Sequence, residues 1–185
     1  MPLTEQEKLE RKRSRLIEKA REYQLGTYAR KFVASVYQQM IRAESAAMPY
    51  GDALAVVNGE LAWITREVGQ CVCVTCGKVL PWKNSNATHG KLDTGHFIPS
   101  RRMSVLFAEK NAHTQCSHCN QQLGGNQGCY ELWMRHVYGQ ETIDRLRRLK
   151  NQTVQFTREE LVDMRIEYQG RLNRAIEKMG ADHAC

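Results

Sequence analysis

No run of apolar residues in this chain is long enough to cross a bilayer, which excludes a membrane-spanning helix. The opening stretch, MPLTEQEKLERKRSRL, has no apolar core of the kind a secretory signal needs, so a cytoplasmic protein is expected. Acidic residues are in deficit: 20 Asp and Glu face 27 Lys and Arg, a net charge of +7. With a pI near 9.1, the chain suits a polyanionic partner, and lacking a membrane segment it suits nucleic acid better than an anionic bilayer. At 185 residues and 42% hydrophobic content it can build a real but modest core, and nothing suggests a large internal sheet. Cysteine is not scarce. Seven cysteines in a cytosolic chain point to metal binding rather than disulfides, and no Cys-x-x-Cys pair precedes residue 71.

The informative stretch runs from Cys73 to Asn126. Two Cys-x-x-Cys elements, Cys73 with Cys76 and Cys116 with Cys119, supply the four thiolates of a closed tetrahedral zinc site. Cys76-Gly77 fits a zinc knuckle, because glycine lets the backbone curl and turn its amides toward sulfur. Cys71, two residues before Cys73, competes for the ligand role, although the spacing favours Cys73 and leaves Cys71 as a small buried residue. Zinc closing this loop would bring Asp93, His96, Asn111, His113 and Asn120 close together. KLDTGHFIP reads as a strand with Leu92, Thr94 and His96 on one face and Asp93, Gly95 and Phe97 on the other, ended by Pro99. A second strand near residues 104 to 115 would complete a ββα-metal arrangement with the helix that follows Gly124 to Asn126.

Helices flank this centre. Thr4 with Glu7 and Thr157 with Glu160 form candidate capping boxes, the first opening a weakly amphipathic basic helix and the second a helix with Leu161, Met164, Tyr168, Leu172, Ala175 and Met179 in a stripe. That stripe would pack on the body or on a second copy, making a homodimer. Phe32, Val33, Val36, Tyr37 and Met40 mark another buried face. The stretch after Gly51 is either a helix or a hairpin about Asn58-Gly59, a pair that favours positive backbone dihedrals. Tyr130 and Trp133 read as core residues, and Trp82 as the more exposed aromatic. Arg145, Arg147, Arg148 and Lys150 form the best basic patch outside the centre.

The order Cys-x-x-Cys-Gly, Asp-x-Gly-His, Asn-x-His-x-Gln-Cys-x-x-Cys-Asn, Gly-Asn and then a helix resembles an HNH (His-Me finger) nuclease. More closely, together with YGQETIDRLRRLK and FTREELVDMRIEYQGRLNRAIEKM, it is similar to the phage NinG family of recombination proteins, also called Rap. The resemblance covers about the last three-fifths of the chain, so it says nothing of what the first 70 residues do. It implies an endonuclease acting on branched DNA such as D-loops and Holliday junctions, in the host bacterial cytoplasm beside other recombination proteins. It also implies a catalytic divalent ion, Mg2+ or Mn2+, separate from the structural Zn2+. The fold expected is α+β and mainly helical: an HNH-like core over residues 70–140, with helical regions at 1–69 and 141–185.

Phosphodiester hydrolysis needs a base, a cation and donors that hold the phosphate. His96 is the candidate base, since a neutral imidazole can take a proton from water. By resemblance, Asn111 orients that ring or its backbone, and Asn120 stands where such proteins place a metal-ligating Asn or His. HNH enzymes often carry an acidic or His ligand just before the base, and here that position is Gly95, so Asp93 is expected to reach it with its carboxylate. His113 is either structural or in touch with phosphate or metal. Arg101 and Arg102 are candidate phosphate clamps, with Arg147 and Arg148 on a second DNA arm. The competing class is a zinc-stabilised DNA-binding or recombination-accessory module without catalysis.

Overall fold

The computed structural model describes residues 3–83, 90–99 and 102–182. Arg101 falls outside the described residues. The protein is α+β and mainly helical, with three two-stranded antiparallel sheets. Helix α1 (Glu5–Arg21) begins at the Thr4 and Glu7 capping box: the Glu7 amide donates to Thr4 Oγ1 at 3.2 Å, and the Thr4 amide to Glu7 Oε2 at 2.7 Å. Its stripe is as weak as the sequence suggests, for Ala20 is its one buried residue. Helix α2 (Leu25–Tyr28) runs through a π-helical turn (Ala29–Val33) into α3 (Ala34–Ala46), which buries Val36, Tyr37 and Met40.

The stretch after α3 is a hairpin, strands β1 (Gly51–Val57) and β2 (Glu60–Arg66). Asn58 and Gly59 take φ of 52° and 86°, the left-handed pair that matches the twist of two antiparallel strands. Residues 1–69 are therefore not wholly helical. Strands β3 (Gln70–Val72) and β4 (Val79–Pro81) frame the first knuckle. Strand β5 (Leu92–His96) pairs with β6 (Ala112–Cys116), with Asp93 opposite Gln115 and Gly95 opposite His113. Between them lies the short α4 (Met103–Leu106). A second π-helical turn (His118–Gln122) leads to α5 (Gln127–Lys150), which breaks at Gly139 (φ 78°, ψ 164°), and then to α6 (Arg158–Asp182).

The β5–β6 pair sits between two cores. Leu92 and Ala112 join Tyr37, Met40, Leu161 and Leu172 on the α3 and α6 side, whereas Phe97 joins Tyr130, Trp133, Met134 and Ile143 on the α5 side. Alternation along the strand produces this division, since successive side chains leave opposite faces. The first core draws on residues from all three sequence regions, so none of them has that core to itself. The α6 stripe is covered within the chain by α3 and α1; Arg171 holds Glu44 through two bonds of 2.7 and 2.8 Å, and Arg13 holds Asp163 through two of 2.6 and 2.9 Å. The second capping box also forms, with the Glu160 amide donating to Thr157 Oγ1 at 3.1 Å. Trp82, expected to be the more exposed aromatic, instead packs on the first core, whereas Trp63 on β2 is 68% exposed. No helix among the described residues is long and apolar enough to cross a membrane.

Candidate functional site

The sulfurs of Cys73, Cys76, Cys116 and Cys119 all lie within 4.8 Å of one another, and among the described residues no other cluster of His, Cys, Asp or Glu is as suited to a metal ion. Cys76 Sγ and Cys116 Sγ are 3.7 Å apart. A tetrahedral ion with metal–sulfur bonds of about 2.3 Å places its ligands about 3.8 Å apart, so the four thiols could bind a metal such as zinc. The turn that presents the first pair needs a residue without Cβ. Gly77 has φ of 73°, and a Cβ there would come within 2.6 Å of Val57 Cγ2. The hydrogen bond from the Cys76 thiol, helped by Thr75 and opposed by burial, lowers the Cys73 pKa from its ordinary value. The ambiguity over Cys71 resolves by geometry. Its Sγ donates to Arg42 O at 3.2 Å, on the α3 side, and burial pushes its thiol up to about 11.

His96 ends β5 on the face that meets α3, its ring 6.4 Å from that of Tyr37. Its Nε2 lies 3.1 Å from Leu106 O. A carbonyl can only accept, so Nε2 carries the proton and Nδ1 keeps its lone pair, with no described residue bonded to it. Burial lowers the His96 pKa from its ordinary value, which favours the neutral ring. Asn111 is wholly buried and fastens the loop that delivers Leu106. It accepts from Ile98 N at 2.8 Å and donates to Ile98 O at 3.1 Å and Val105 O at 2.8 Å.

On the opposite face of β5, Asp93 Oδ2 accepts from Asn120 Nδ2 at 3.1 Å and from Gln121 Nε2 at 2.6 Å. With its Nδ2 committed to Asp93, Asn120 is left Oδ1 as the atom able to face a cation. A carboxylate and a carboxamide oxygen are hard donors that fit Mg2+ or Mn2+ rather than zinc. The structure thus brings together Asp93 with Asn120, and His96 with the loop held by Asn111. Asp93 lies near the start of β5 and His96 at its end, on opposite faces, and the two pairs do not form a single contact cluster.

His113 is spent on structure. Tyr130 Oη donates to Gly95 O at 3.0 Å, so it must accept from His113 Nδ1 at 2.9 Å, which leaves Nε2 to accept from Tyr138 Oη at 3.1 Å. Desolvation pushes this imidazole down to about 3. Of the arginines, Arg147 is paired with Glu131 at 2.7 Å, while Arg102, ahead of α4, and Arg148 are exposed.

Sequence reasoning missed Gln115. Its Nε2 donates to Thr75 Oγ1 and to Gly125 O, both at 2.9 Å, while its buried Oε1 has no hydrogen-bond partner among the described residues. Such an orphan acceptor costs about 1–3 kcal/mol. A Cβ on Gly95 would collide with that oxygen. A cavity of about 960 Å³ was also unforeseen; it lies between α3, the β1–β2 hairpin and α5, and neither His96, Asp93, Asn120 nor any of the four clustered cysteines lines it.

Fold and site define a small α+β protein whose antiparallel strands are joined through a four-cysteine cluster. Residues 5–178 match the family described as bacteriophage lambda NinG protein, and the chain belongs to that family. Over 101 residues it is 32% identical to protein ninG of Escherichia phage lambda, an overlap of 54% of this chain and 45% of that protein. It is 31% identical to protein ninG of Escherichia phage 933W over 101 residues, 54% and 46% of the two chains. The match spans less than half the length of these curated relatives. No solved structure matches the chain.

Proposed function

We propose that this protein is a metal-dependent endonuclease of phage recombination that hydrolyses phosphodiesters in branched DNA on an HNH-type ββα-metal core. What carries the reading is the His96–Leu106 bond, which leaves a neutral imidazole with an unengaged Nδ1 on the strand that also carries Asp93, itself bonded to Asn120. In the proposed reaction Nδ1 takes a proton from water, the water oxygen attacks phosphorus, and the phosphorus–oxygen bond on the far side breaks, with the leaving oxygen collecting a proton from solvent. Asp93 and Asn120 would hold the catalytic Mg2+ or Mn2+, whose contribution is charge neutralisation at phosphate and leaving oxygen. The four cysteines would hold a structural zinc that ties β6 and the second knuckle to the first. Asn111 is a positioning residue that fixes the loop behind the ring. Arg102 and Arg148 would meet phosphates; Arg147 would have to leave Glu131 to do so, and the matching proposal for Arg101 rests on sequence alone.

One observation favours the alternative of a non-catalytic DNA-binding accessory protein: His96 and Asp93 leave opposite faces of β5. Incubating the zinc-loaded full chain with Holliday-junction, D-loop and linear DNA, in EDTA, Mg2+ or Mn2+, separates the two. Nicking of branched substrates only with the divalent ion supports the nuclease, and binding without nicking in every condition establishes the alternative.

A further inference from the structure

The N-terminal helices gather positive charge at one spot. Three cations from three elements surround the half-buried ring of Phe32: Lys31 Nζ lies 5.5 Å from its centroid, Lys19 Nζ on α1 5.6 Å, and the guanidinium carbon of Arg165 on α6 5.5 Å. Lys31 also stands 5.7 Å from the ring of Tyr23, which meets Phe32 edge-on at 4.9 Å. The ring faces attract each cation, but like charges held this close repel one another, so the arrangement calls for negative charge. The chain does not supply it. Glu18, Asp163 and Glu167, each within two residues of Lys19 or Arg165, are held by Arg21, Arg13 and Arg171, and among the described residues none of the three cations has a carboxylate partner. Lys31 and Phe32 lie in the π-helical turn Ala29–Val33, an irregularity of a kind that often marks a functional position in a helix.

We propose that Lys19, Lys31 and Arg165 form a phosphate-binding patch that grips the backbone of a DNA arm. A DNA backbone presents its charges in series, so cations brought in from α1, the π-helical turn and α6 can each meet a phosphate, and the chain's net charge of +7 suits such a polyanion. The patch is separate from the arginines of α5. Arg165 is one turn of α6 before Tyr168, whose ring is 5.1 Å from that of Tyr37, and the Tyr37 ring is 6.4 Å from His96, so the patch belongs to the α3 and α6 side of β5, toward which His96 projects. The inference takes from the nuclease reading only its DNA partner; a protein that binds junctions without cutting them would leave it standing.

The test is the salt dependence of Holliday-junction binding by the zinc-loaded full chain, followed by fluorescence anisotropy without added divalent ion, with zinc content and melting temperature measured on each sample. In Lys19→Gln/Lys31→Gln/Arg165→Gln the slope of log K against log salt should be shallower than the parent's by about three, and binding at low salt at least about tenfold weaker. The control Lys8→Gln/Arg21→Gln/Arg135→Gln removes the same charge from residues already paired with Glu5, Glu18 and Glu131, and should keep a slope near the parent's. Lys19→Arg/Lys31→Arg/Arg165→Lys keeps the patch charged and should bind like the parent. A parental slope in the first variant overturns the inference, as does an equal change in the control, which would mean that net charge alone is read. If the first variant loses zinc or unfolds, Lys19→Gln/Lys31→Gln, confined to two exposed side chains, decides in its place: a slope shallower by about two supports the patch and a parental slope overturns it. A parent protein that binds no junction removes the DNA partner and the patch with it.

Discussion

His96 Nε2 donates to the carbonyl oxygen of Leu106 across 3.1 Å, and this one bond decides which ring nitrogen is available for chemistry. Burial, the larger influence, lowers the pKa of His96, while the bond to Leu106 acts the other way. The neutral ring therefore persists to lower pH than a solvated imidazole would, and the acid limb of a kcat/KM profile for DNA cleavage should lie below 6.5. A limb at or above that value would mean that a different group titrates.

Asn111 holds three backbone groups that have no water to turn to. Asn111→Ala should cost about 2–4 kcal/mol of unfolding free energy, measured by denaturant titration, because Ile98 N, Ile98 O and Val105 O lose their partner together. It should also depress cleavage more than junction binding, since the loop positions His96 rather than DNA. A variant with parental stability would show that the loop holds itself.

Elemental analysis should find one zinc per chain. Cys73→Ala, Cys76→Ala, Cys116→Ala or Cys119→Ala should each abolish it, whereas Cys71→Ala should retain it, because the Cys71 thiol is bonded to Arg42 O and faces α3. Loss of zinc from the Cys71 variant would redraw the ligand set.

The pair of tyrosines around His113 predicts a pH dependence of stability. With the native imidazole pushed down to about 3 by burial, the unfolded chain takes up a proton below about 6.5 that the folded chain refuses. This contribution is intact above that pH and declines as pH falls toward 3; His96, shifted the same way, adds to it. The melting temperature of the parent should drop more steeply between pH 6.5 and 4.5 than that of His113→Gln, which keeps a donor and an acceptor for Tyr130 and Tyr138 but does not titrate there. Equal slopes would remove His113 from the account.

Signals confined to a few neighbouring residues were legible in the sequence. Two capping boxes, the Asn58-Gly59 turn, the four clustered cysteines and the two faces of Leu92 to Phe97 each depend on local backbone chemistry. What depended on register was not. Gln115 looks like filler between a strand and a cysteine until β6 is set against β5, and only then does an orphaned oxygen stand in the gap at Gly95. Tyr138 reaches His113 from 25 residues away, just before the break at Gly139, and no periodicity announces such a contact. The burial of Trp82 was hidden for the same reason, since its exposure depends on which residues the first core covers.

The central claim is that His96 Nδ1 is the base of a divalent-ion-dependent hydrolysis, and its most direct test is the single-turnover rate of His96→Ala on a Holliday junction. Zinc content and junction affinity are held as controls. The account predicts a loss of at least about a hundredfold in rate with both controls unchanged. Cleavage within a few-fold of the parent, with zinc bound and DNA engaged, would contradict it.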